Sequence, residues 1–589
     1  MRSGWLTDSF PPTPVHANDA AILTQRPPAA SLFLAEGFAQ RINALALQLG
    51  ASAQAARVTA LAAAEVSRAG SSGHVCIVLD AFAERLGETS QAVQRWLFSS
   101  GLVSDGQAAD IELLPLVLDE GGRLYLARYY AYERRIAQVL AACACSGRLT
   151  VVSGGPGTGK TTAMVGQLVR LLEANPELRI VLAAPTGKAA QRMLSALAER
   201  ASALPAAIKQ RLPKHSFTLH RLLGTGLKAN AQLPVPLPYD VVVIDEASMI
   251  DVALAAQLVA ALAPHSWLIL LGDKDQLAAV EAGAVFAELN VSKGLAECVS
   301  RLEHNYRFGL ESAIGRLSLA IRAGLPKDAL AALVLQPPTL PAQADLLSDS
   351  TGAAVLIDDH GETLAASSLN LMADGFAPYA KALKDLLYAL TELQASPDLG
   401  PLFEALNHYR VLSAVRAGPR GVETLNALLA TRVCAMAGIP VASGAVWFAG
   451  RPVMITRNDY ALGLFNGDMG IALPVAGNKF RIVFPTTGGG WRVLSSAVLP
   501  PHETAFALTV HKSQGSEFNQ LAFVLPAIAH GGLTRELVYT AITRARQTLT
   551  ILGSPSVFGQ AVATPTIRAA GLSARLEEAI MALSLKPLK

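Results

Sequence analysis

The residues Gly154-Gly155-Pro156-Gly157-Thr158-Gly159-Lys160-Thr161 fit G-x-x-x-x-G-K-[ST], the spacing of a phosphate-cradling loop. Glycines let the backbone curl so that successive N–H groups face phosphate oxygens. The Lys160 ammonium suits the β/γ-phosphates and the Thr161 hydroxyl suits Mg²⁺. The run Leu149–Ser153 reads as a strand entering the loop, and after Thr162 the residues Val165, Leu168, Val169 and Leu172 recur at helical spacing. These features predict a nucleoside triphosphate site.

Other chemistry-bearing residues follow further strand-like runs. Tyr239–Ile244 ends in Asp245-Glu246. The first acid suits a Mg²⁺ shell and the second can polarise an attacking water, whereas a helix-capping pair is the plainer alternative. In Gly272-Asp273-Lys274-Asp275-Gln276-Leu277 the Gln276 amide can hydrogen-bond a γ-phosphate, although the same residues alone would make an ordinary turn. Arg307 and Arg544 supply guanidinium groups, either for the charge of phosphoryl transfer or for structural salt bridges. If Arg544 projects from a second lobe, closing the cleft completes the site and couples hydrolysis to lobe movement.

Strands and helices must alternate to place these groups. From about 116 to 325, strands are expected at Leu149–Ser153, Arg179–Ala184, Asp240–Ile244 and Trp267–Leu271. That pattern predicts a parallel α/β sheet with its functional residues at the strand carboxyl ends. A Pro-rich stretch, Leu233–Pro238, reads as a small insertion. A second α/β pattern begins near Tyr409–Ser413, resumes at Phe506–Val510 and Leu521–Leu525, and closes at Thr548–Leu552. Between about 444 and 503, short strands at Pro452–Arg457, Met469–Ala476, Lys479–Pro485 and Trp491–Ser496 alternate with glycine turns, the pattern of a small antiparallel barrel. Residues 1 to about 115 are alanine- and leucine-rich and mostly helical in pattern, with one strand candidate at His74–Leu79.

The 589 residues suffice for three or four domains, and a net charge of +3 confines nucleic-acid contact to local basic loops. Of the residues, 51% are hydrophobic and 16% charged. The best membrane-span candidate, Val252–Gly272, is interrupted by Pro264, His265 and Ser266, so it reads as a helix, a turn and a buried strand. Met1–Asp8 lacks an apolar run, and Cys76, Cys143, Cys145, Cys298 and Cys434 lack zinc-ligand spacing. Buried thiols in a reducing cytoplasm are expected.

The ordered set of the phosphate loop, Ala184-Pro-Thr-Gly-Lys188, Thr218-Leu-His-Arg221, Asp245-Glu-Ala-Ser248, Gly272–Leu277, Asn305-Tyr306-Arg307, Thr509-Val-His-Lys-Ser-Gln-Gly-Ser-Glu517-Phe518 and Tyr539–Arg546 resembles superfamily 1 DNA helicases. More closely it resembles the RecD branch, which moves 5′ to 3′, and Gly122–Glu133 carries the same likeness. The resemblance covers roughly residues 110–560. It implies an α/β protein with two RecA-like P-loop lobes, a helical N-terminal domain and an SH3-like β-barrel insert in the second lobe. The domains would be a partner-docking domain over 1–115, a first lobe over 116–325 with an insert near 222–238, a linker or helical segment over 326–400, a second lobe over 401–565 with the barrel at about 444–503, and a tail over 566–589.

The implied ATPase site holds Lys160, Asp245, Glu246, Gln276, Arg307 and Arg544. ATP would be bound by Gly154, Gly155, Pro156, Gly157, Thr158, Gly159, Lys160, Thr161 and Thr162, with Tyr306 flanking the adenine and Glu517 on the ribose, and Mg²⁺ by Thr161 and Asp245. Pro185, Thr186, Thr218, His220, Thr509, His511 and Lys512 would line a single-strand channel. Hydroxyl, imidazole and ammonium groups bind phosphate without reading sequence, although an isolated histidine is more often an interior one satisfied by a carbonyl. Related helicases carry an adenine-reading glutamine before the phosphate loop, for which Gln138 is the nearest candidate. The implied partners are single-stranded and duplex-end DNA and the larger helicase and nuclease subunits of a RecBCD-type heterotrimer, RecB and RecC. No acidic cluster suggests a nuclease centre in this chain. The alternatives are a free-standing RecD-like helicase and a regulatory subunit whose nucleotide site only gates assembly.

Overall fold

A six-stranded sheet carries the phosphate loop. Its strands run in the order Val299–Leu302, Leu149–Gly154, Trp267–Gly272, Val241–Ile244, Ile180–Ala184 and Ser216–Thr218, all neighbours parallel. The computed structural model describes residues 29–584 apart from 108–113, 225–235, 307–308, 310–311, 338–352, 392–397, 441–443, 476–478 and 487–488. Successive strand residues point to opposite faces, so both faces of a helix-covered sheet must be apolar. Val242, Ile244, Leu268 and Leu270 accordingly pack with Ile136, Leu140 and Ala255, while Val241, Val243, Ile269 and Leu271 pack with Met164, Leu168 and Met193. The four expected strands are present. The two edge strands, Val299–Leu302 and Ser216–Thr218, were not expected, because they are short and only partly buried.

The second lobe repeats the plan, with strands Val334–Gln336, Ala353–Ile357, Ala545–Leu552, Phe518–Val524, Tyr409–Ser413 and Ala507–Thr509 in that order, all parallel. The stretch 326–400, expected as a linker or helical segment, carries the helices Ala366–Asp374 and Ala377–Thr391 and also two strands that make it part of the lobe. Two strands from that stretch form the sheet edge, and Phe376, Tyr379 and Leu383 from its helices lie in the same core as Val411 and Val524. Ala353–Ile357 is a short, unbroken apolar run, which periodicity cannot assign to a strand. Ile314, Leu317 and Ile321 of the helix Ala313–Ala323 also belong to the second lobe's core, although the sequence reading placed them in the first lobe.

Between Tyr409–Ser413 and Ala507–Thr509 lies a five-stranded antiparallel sheet ordered Trp491–Ser495, Lys479–Pro485, Met469–Val475, Pro452–Ile455 and His502–Thr504. It has its own core of Val453, Ile455, Leu464, Ala472, Ile482 and Phe484. The proposed small insert near 222–238 falls mostly outside the described residues.

The N-terminal region is not purely helical. Cys76–Val78, Arg123–Leu126, Leu116–Leu118 and Val103–Ser104 form a small mixed sheet that crosses the expected boundary at 115. Cys76–Val78 falls within the strand expected at His74–Leu79, whereas the other three strands, of two to four residues, are too short to give a period in the sequence. Leu116, Leu118 and Leu124 face the N-terminal helices, whereas Val117 and Tyr125 face the first lobe's core.

The expected tail is likewise structural. After the helix Pro555–Ala563 the chain crosses from the second lobe to the first. There the helix Leu572–Ser584 buries Leu572 and Leu576 in the first lobe's core. Ala569 O accepts the Val75 N–H at 2.8 Å. The Gly571 N–H reaches both oxygens of the buried Glu133 carboxylate at 3.0 and 3.1 Å. A Cβ on Gly571 would fall 1.9 Å from the Tyr125 hydroxyl, so only glycine fits. Burial pushes the Glu133 carboxyl up to about 7. Among the described residues no helix is long and apolar enough to cross a membrane. Val252–Gly272 resolves into a helix, a turn and a strand.

Candidate functional site

All six strands of the first sheet end at one edge, and every first-lobe motif residue follows a strand there. Gly157 and Gly159 have φ of 82° and 87°, the left-handed region that glycine tolerates, and the helix Lys160–Ala174 starts directly after the turn. A Cβ on Gly154 would meet Thr158 Oγ1 at 2.4 Å, so the loop closes tightly. The Lys160 ammonium donates to the carbonyls of Gly154 at 2.5 Å and Gly155 at 3.1 Å. Thr161 is half-buried and Thr162 exposed at the start of that helix.

Asp245 and Glu246 stand at the end of the adjacent buried strand. Burial, then the neighbouring Glu246 charge, raise the Asp245 carboxyl above the usual range, and Lys160 opposes this. Glu246, with φ of 52°, is the one non-glycine residue with positive φ among those described. That conformation costs about 1 kcal/mol and is persistent only where surroundings enforce it, as at functional sites. Gln276 is buried; its amide donates to Asp273 Oδ2 at 3.0 Å, and its Oε1 has no partner.

The second lobe completes this edge. Arg544 is fully buried, donating through Nε to Thr540 O at 3.0 Å and through Nη1 to Ser516 O at 3.4 Å, while Nη2 has no partner. Burial lowers the basicity of its guanidinium, and Glu246 and Glu517 partly restore it. Tyr539 is buried against Asp273, which raises its phenol well above the usual range after burial itself. Its hydroxyl lies 2.8 Å from where a Gly155 Cβ would be. The Leu277 N–H donates to Thr540 Oγ1 at 2.9 Å, and Gln514 Nε2 donates to Leu277 O at 3.1 Å.

The loop after Val299–Leu302 closes over the phosphate loop. The Tyr306 N–H donates to Gly157 O at 3.0 Å and the Asn305 amide to Pro156 O at 3.0 Å. Tyr306 itself is 77% exposed, leaving its ring face available beside Gly159. Arg307 lies outside the described residues. Gln138 is exposed on the helix Ala127–Cys145.

Glu517 is paired on both sides. Its carboxylate is bound by Arg192 of the first lobe and by Arg546 of the second at 2.8 Å, and its side chain is 5% exposed. Lys188 donates to Ser516 Oγ at 2.9 Å, also across the lobes. Burial, with Arg410 and Arg192 nearby, brings the Lys188 ammonium down to about 8.

The expected DNA-contact residues meet in part. Thr186 Oγ1 caps the helix Gly187–Ala201 by accepting the Ala189 N–H at 3.2 Å. It comes within 3.9 Å of where a Gly515 Cβ would be, so these segments of the two lobes face each other. Pro185 is half-buried beside it. Thr218 is buried and its hydroxyl accepts the Arg221 N–H at 3.3 Å, capping the short turn that carries the exposed His220. Thr509 and Lys512 line a cleft with Arg416 and Arg451, and Lys512 pairs with Glu503 at 2.6 Å. His511 is exposed at the same turn. Phe465 of the antiparallel insert packs 3.0 Å from where a Gly187 Cβ would be.

Sequence reasoning did not single out Lys188, Arg192, Gln514, Tyr539 or Thr540. Four lay within quoted motifs, and Arg192 is one helical turn beyond Lys188; their partners are more than two hundred residues away in sequence.

A tight glycine turn at a helix start, a lysine and two half-satisfied buried polar atoms, Gln276 Oε1 and Arg544 Nη2, suit a triphosphate with its terminal group between the lobes. Thr161 and Asp245 suit Mg²⁺ bound together with phosphate. Among the described residues no group of three or more His, Cys, Asp or Glu could hold a metal without such help.

Residues 133–336 match an AAA domain model and residues 504–552 a UvrD-like helicase C-terminal domain model. The chain is 32% identical over 581 residues to the RecBCD enzyme subunit RecD of Mycolicibacterium smegmatis, covering 92% of this chain and 96% of that protein. It is 36% identical over 455 residues to the protein of the same name from Mycobacterium tuberculosis, covering 76% and 73%. Similarity to the ATP-dependent RecD2 DNA helicase of Deinococcus radiodurans is 32% over 426 residues, 71% of this chain and 48% of that protein.

Proposed function

Because the chain belongs to the RecD family of RecBCD enzyme subunits, we propose that it is an ATP-driven 5′→3′ single-stranded DNA translocase and helicase. It works as the RecD subunit of a RecBCD-type enzyme in double-strand-break repair in the cytoplasm. The single observation that carries the motor reading is the split site, in which Gly155, Glu246 and Asp273 of one lobe, beside Lys160, Asp245 and Gln276, lie against Tyr539 and Arg544 of the other.

Backbone N–H groups of Gly157 to Thr161 cradle the phosphates of ATP. Lys160 exchanges its carbonyl partners for the β/γ-oxygens. Thr161 and Asp245 would hold Mg²⁺, which would supply charge neutralisation at the phosphates. Glu246 takes a proton from water as the water oxygen bonds to the γ-phosphorus and the bond to the β-bridging oxygen breaks. Arg544 Nη2 meets the charge on the transferring group, and Gln276 Oε1 orients the water. Tyr306 flanks the adenine. Arg307 adds a second cation on the family pattern.

Pro185, Thr186 and His220 hold the strand on one lobe, and Thr509, His511 and Lys512 on the other. An SH3-like barrel formed by the antiparallel insert borders this channel. Alternating grip as the lobes close and open moves the strand. The N-terminal domain docks on the larger subunits, RecB and RecC, and nuclease chemistry resides on them. The test is ATP hydrolysis with and without single-stranded DNA, for wild type and Lys160→Gln. DNA-stimulated turnover that Lys160→Gln removes is expected; turnover indifferent to DNA overturns the motor reading.

A further inference from the structure

Leu277 directly follows Gln276 on the first lobe, yet its side chain is not in the first lobe's core. It lies in the apolar cluster of the second, among residues such as Leu508, Val510, Leu537 and Val538. Both of its backbone polar groups are also held from that side, the N–H by Thr540 Oγ1 at 2.9 Å and the carbonyl by Gln514 Nε2 at 3.1 Å. Asp275, two residues earlier, pairs with Arg322 at 2.8 Å, and Arg322 sits on the helix Ala313–Ala323 that packs in the same second-lobe core.

The turn Asp273–Leu277 is thus anchored by its end in the opposite lobe, while Gln276 between the anchors keeps an unpaired Oε1. A turn held this way cannot re-aim its glutamine without shifting the second lobe, and the second lobe cannot open without dragging the glutamine. Buried backbone groups strengthen the restraint, because breaking either hydrogen bond strands a buried donor or acceptor.

We infer that Leu277 is a mechanical anchor and that Thr540 and Gln514 are positioning residues that grip it, coupling the state of Gln276 to lobe movement and so to DNA. Neither residue touches nucleotide in this account; each acts through Gln276. The inference rests on the motor reading above.

The experiment uses the full chain and compares wild type with Thr540→Val, Thr540→Ser and Gln514→Met. The readout is the ratio of ATP turnover with single-stranded oligonucleotide to turnover without it, together with KM for ATP and KM against kcat. Loss of the grip removes coupling and leaves nucleotide binding, so the ratio falls about tenfold in Thr540→Val and Gln514→Met while KM for ATP stays within about twofold. Thr540→Ser keeps the hydroxyl and restores the ratio; a merely structural role would instead lower turnover without DNA in Thr540→Val along with turnover with DNA, leaving the ratio unchanged. Equal stimulation in wild type and Thr540→Val overturns the inference and leaves the motor reading standing. A wild type that DNA does not stimulate overturns both. A variant whose KM for ATP rises with its loss of stimulation also overturns it, since that marks general damage to the site.

Discussion

Replacing Arg544 by alanine tests the split site at its second half. The guanidinium is buried with one nitrogen unpaired, an arrangement that costs about 1–3 kcal/mol unless another group meets it. Of the remaining contacts only the long one to Ser516 O, at 3.4 Å, is lost without a replacement among the described residues. Thr540 O keeps a donor in Thr543 Oγ1 at 3.2 Å, and Glu517 keeps Arg192 and Arg546. The fold should therefore survive, and the loss should appear in chemistry. An arginine that stabilises the transferring phosphoryl contributes about 10³-fold or more, which is about 4 kcal/mol at about 1.4 kcal/mol per decade. Arg544→Lys keeps the charge but cannot span Thr540 O, Ser516 O and a phosphate together, so it recovers about tenfold at most. The assay is DNA-stimulated ATP turnover alongside affinity for a fluorescent ATP analogue and the thermal midpoint. The expected result is a kcat lower by about 10³-fold with analogue affinity within about fivefold and an unchanged midpoint. A kcat within about tenfold of wild type would make Arg544 a structural residue and refute the reasoning.

Three further outcomes follow from named contacts. Lys160→Gln should abolish DNA-stimulated hydrolysis while single-strand affinity, measured by anisotropy, stays within about twofold, because its ammonium touches only the phosphate loop. Gly571→Ala forces a Cβ to 1.9 Å from the Tyr125 hydroxyl and should lower the denaturant midpoint by the equivalent of about 1–3 kcal/mol; an unchanged midpoint means that the C-terminal crossing is not seated there. Glu133, raised to about 7 by burial from an ordinary 4.5, contributes stability fully below pH 4.5 that is lost as pH rises through 7. Glu133→Gln should flatten the thermal midpoint between pH 5 and pH 7.5, and a slope equal to wild type would exclude this carboxyl as its source.

The parts of the site that lie on one buried strand and its turn were legible in the sequence. Asp245-Glu246 and Gln276 could be placed because Val241–Ile244 and Trp267–Gly272 are continuous apolar runs, which parallel sheets with both faces covered demand. Edge strands such as Ser216–Thr218, and the strands Val103–Ser104, Leu116–Leu118 and Arg123–Leu126 around Tyr125, are too short for any period to register. Contacts made across the cleft left no local signal. Arg192 and Glu517 are 325 residues apart, and only the structure shows that they pair across the lobes. Thr218 carried a phosphate-binding type of hydroxyl in the sequence, and only the structure shows that it is buried as the cap of the turn carrying His220. The C-terminal helix could not be distinguished from a tail, because its partner surface is built from the distant helix Ala127–Cys145.

The central claim is that this split site drives movement along one DNA strand with a fixed direction. The most direct measurement is strand displacement by the full chain on otherwise identical duplexes with a 5′ or a 3′ single-stranded tail, in the presence of ATP and Mg²⁺. Unwinding of the 5′-tailed duplex, lost in Lys160→Gln, is the result predicted. Equal unwinding of both tails, preference for the 3′ tail, or displacement that persists in Lys160→Gln would contradict it.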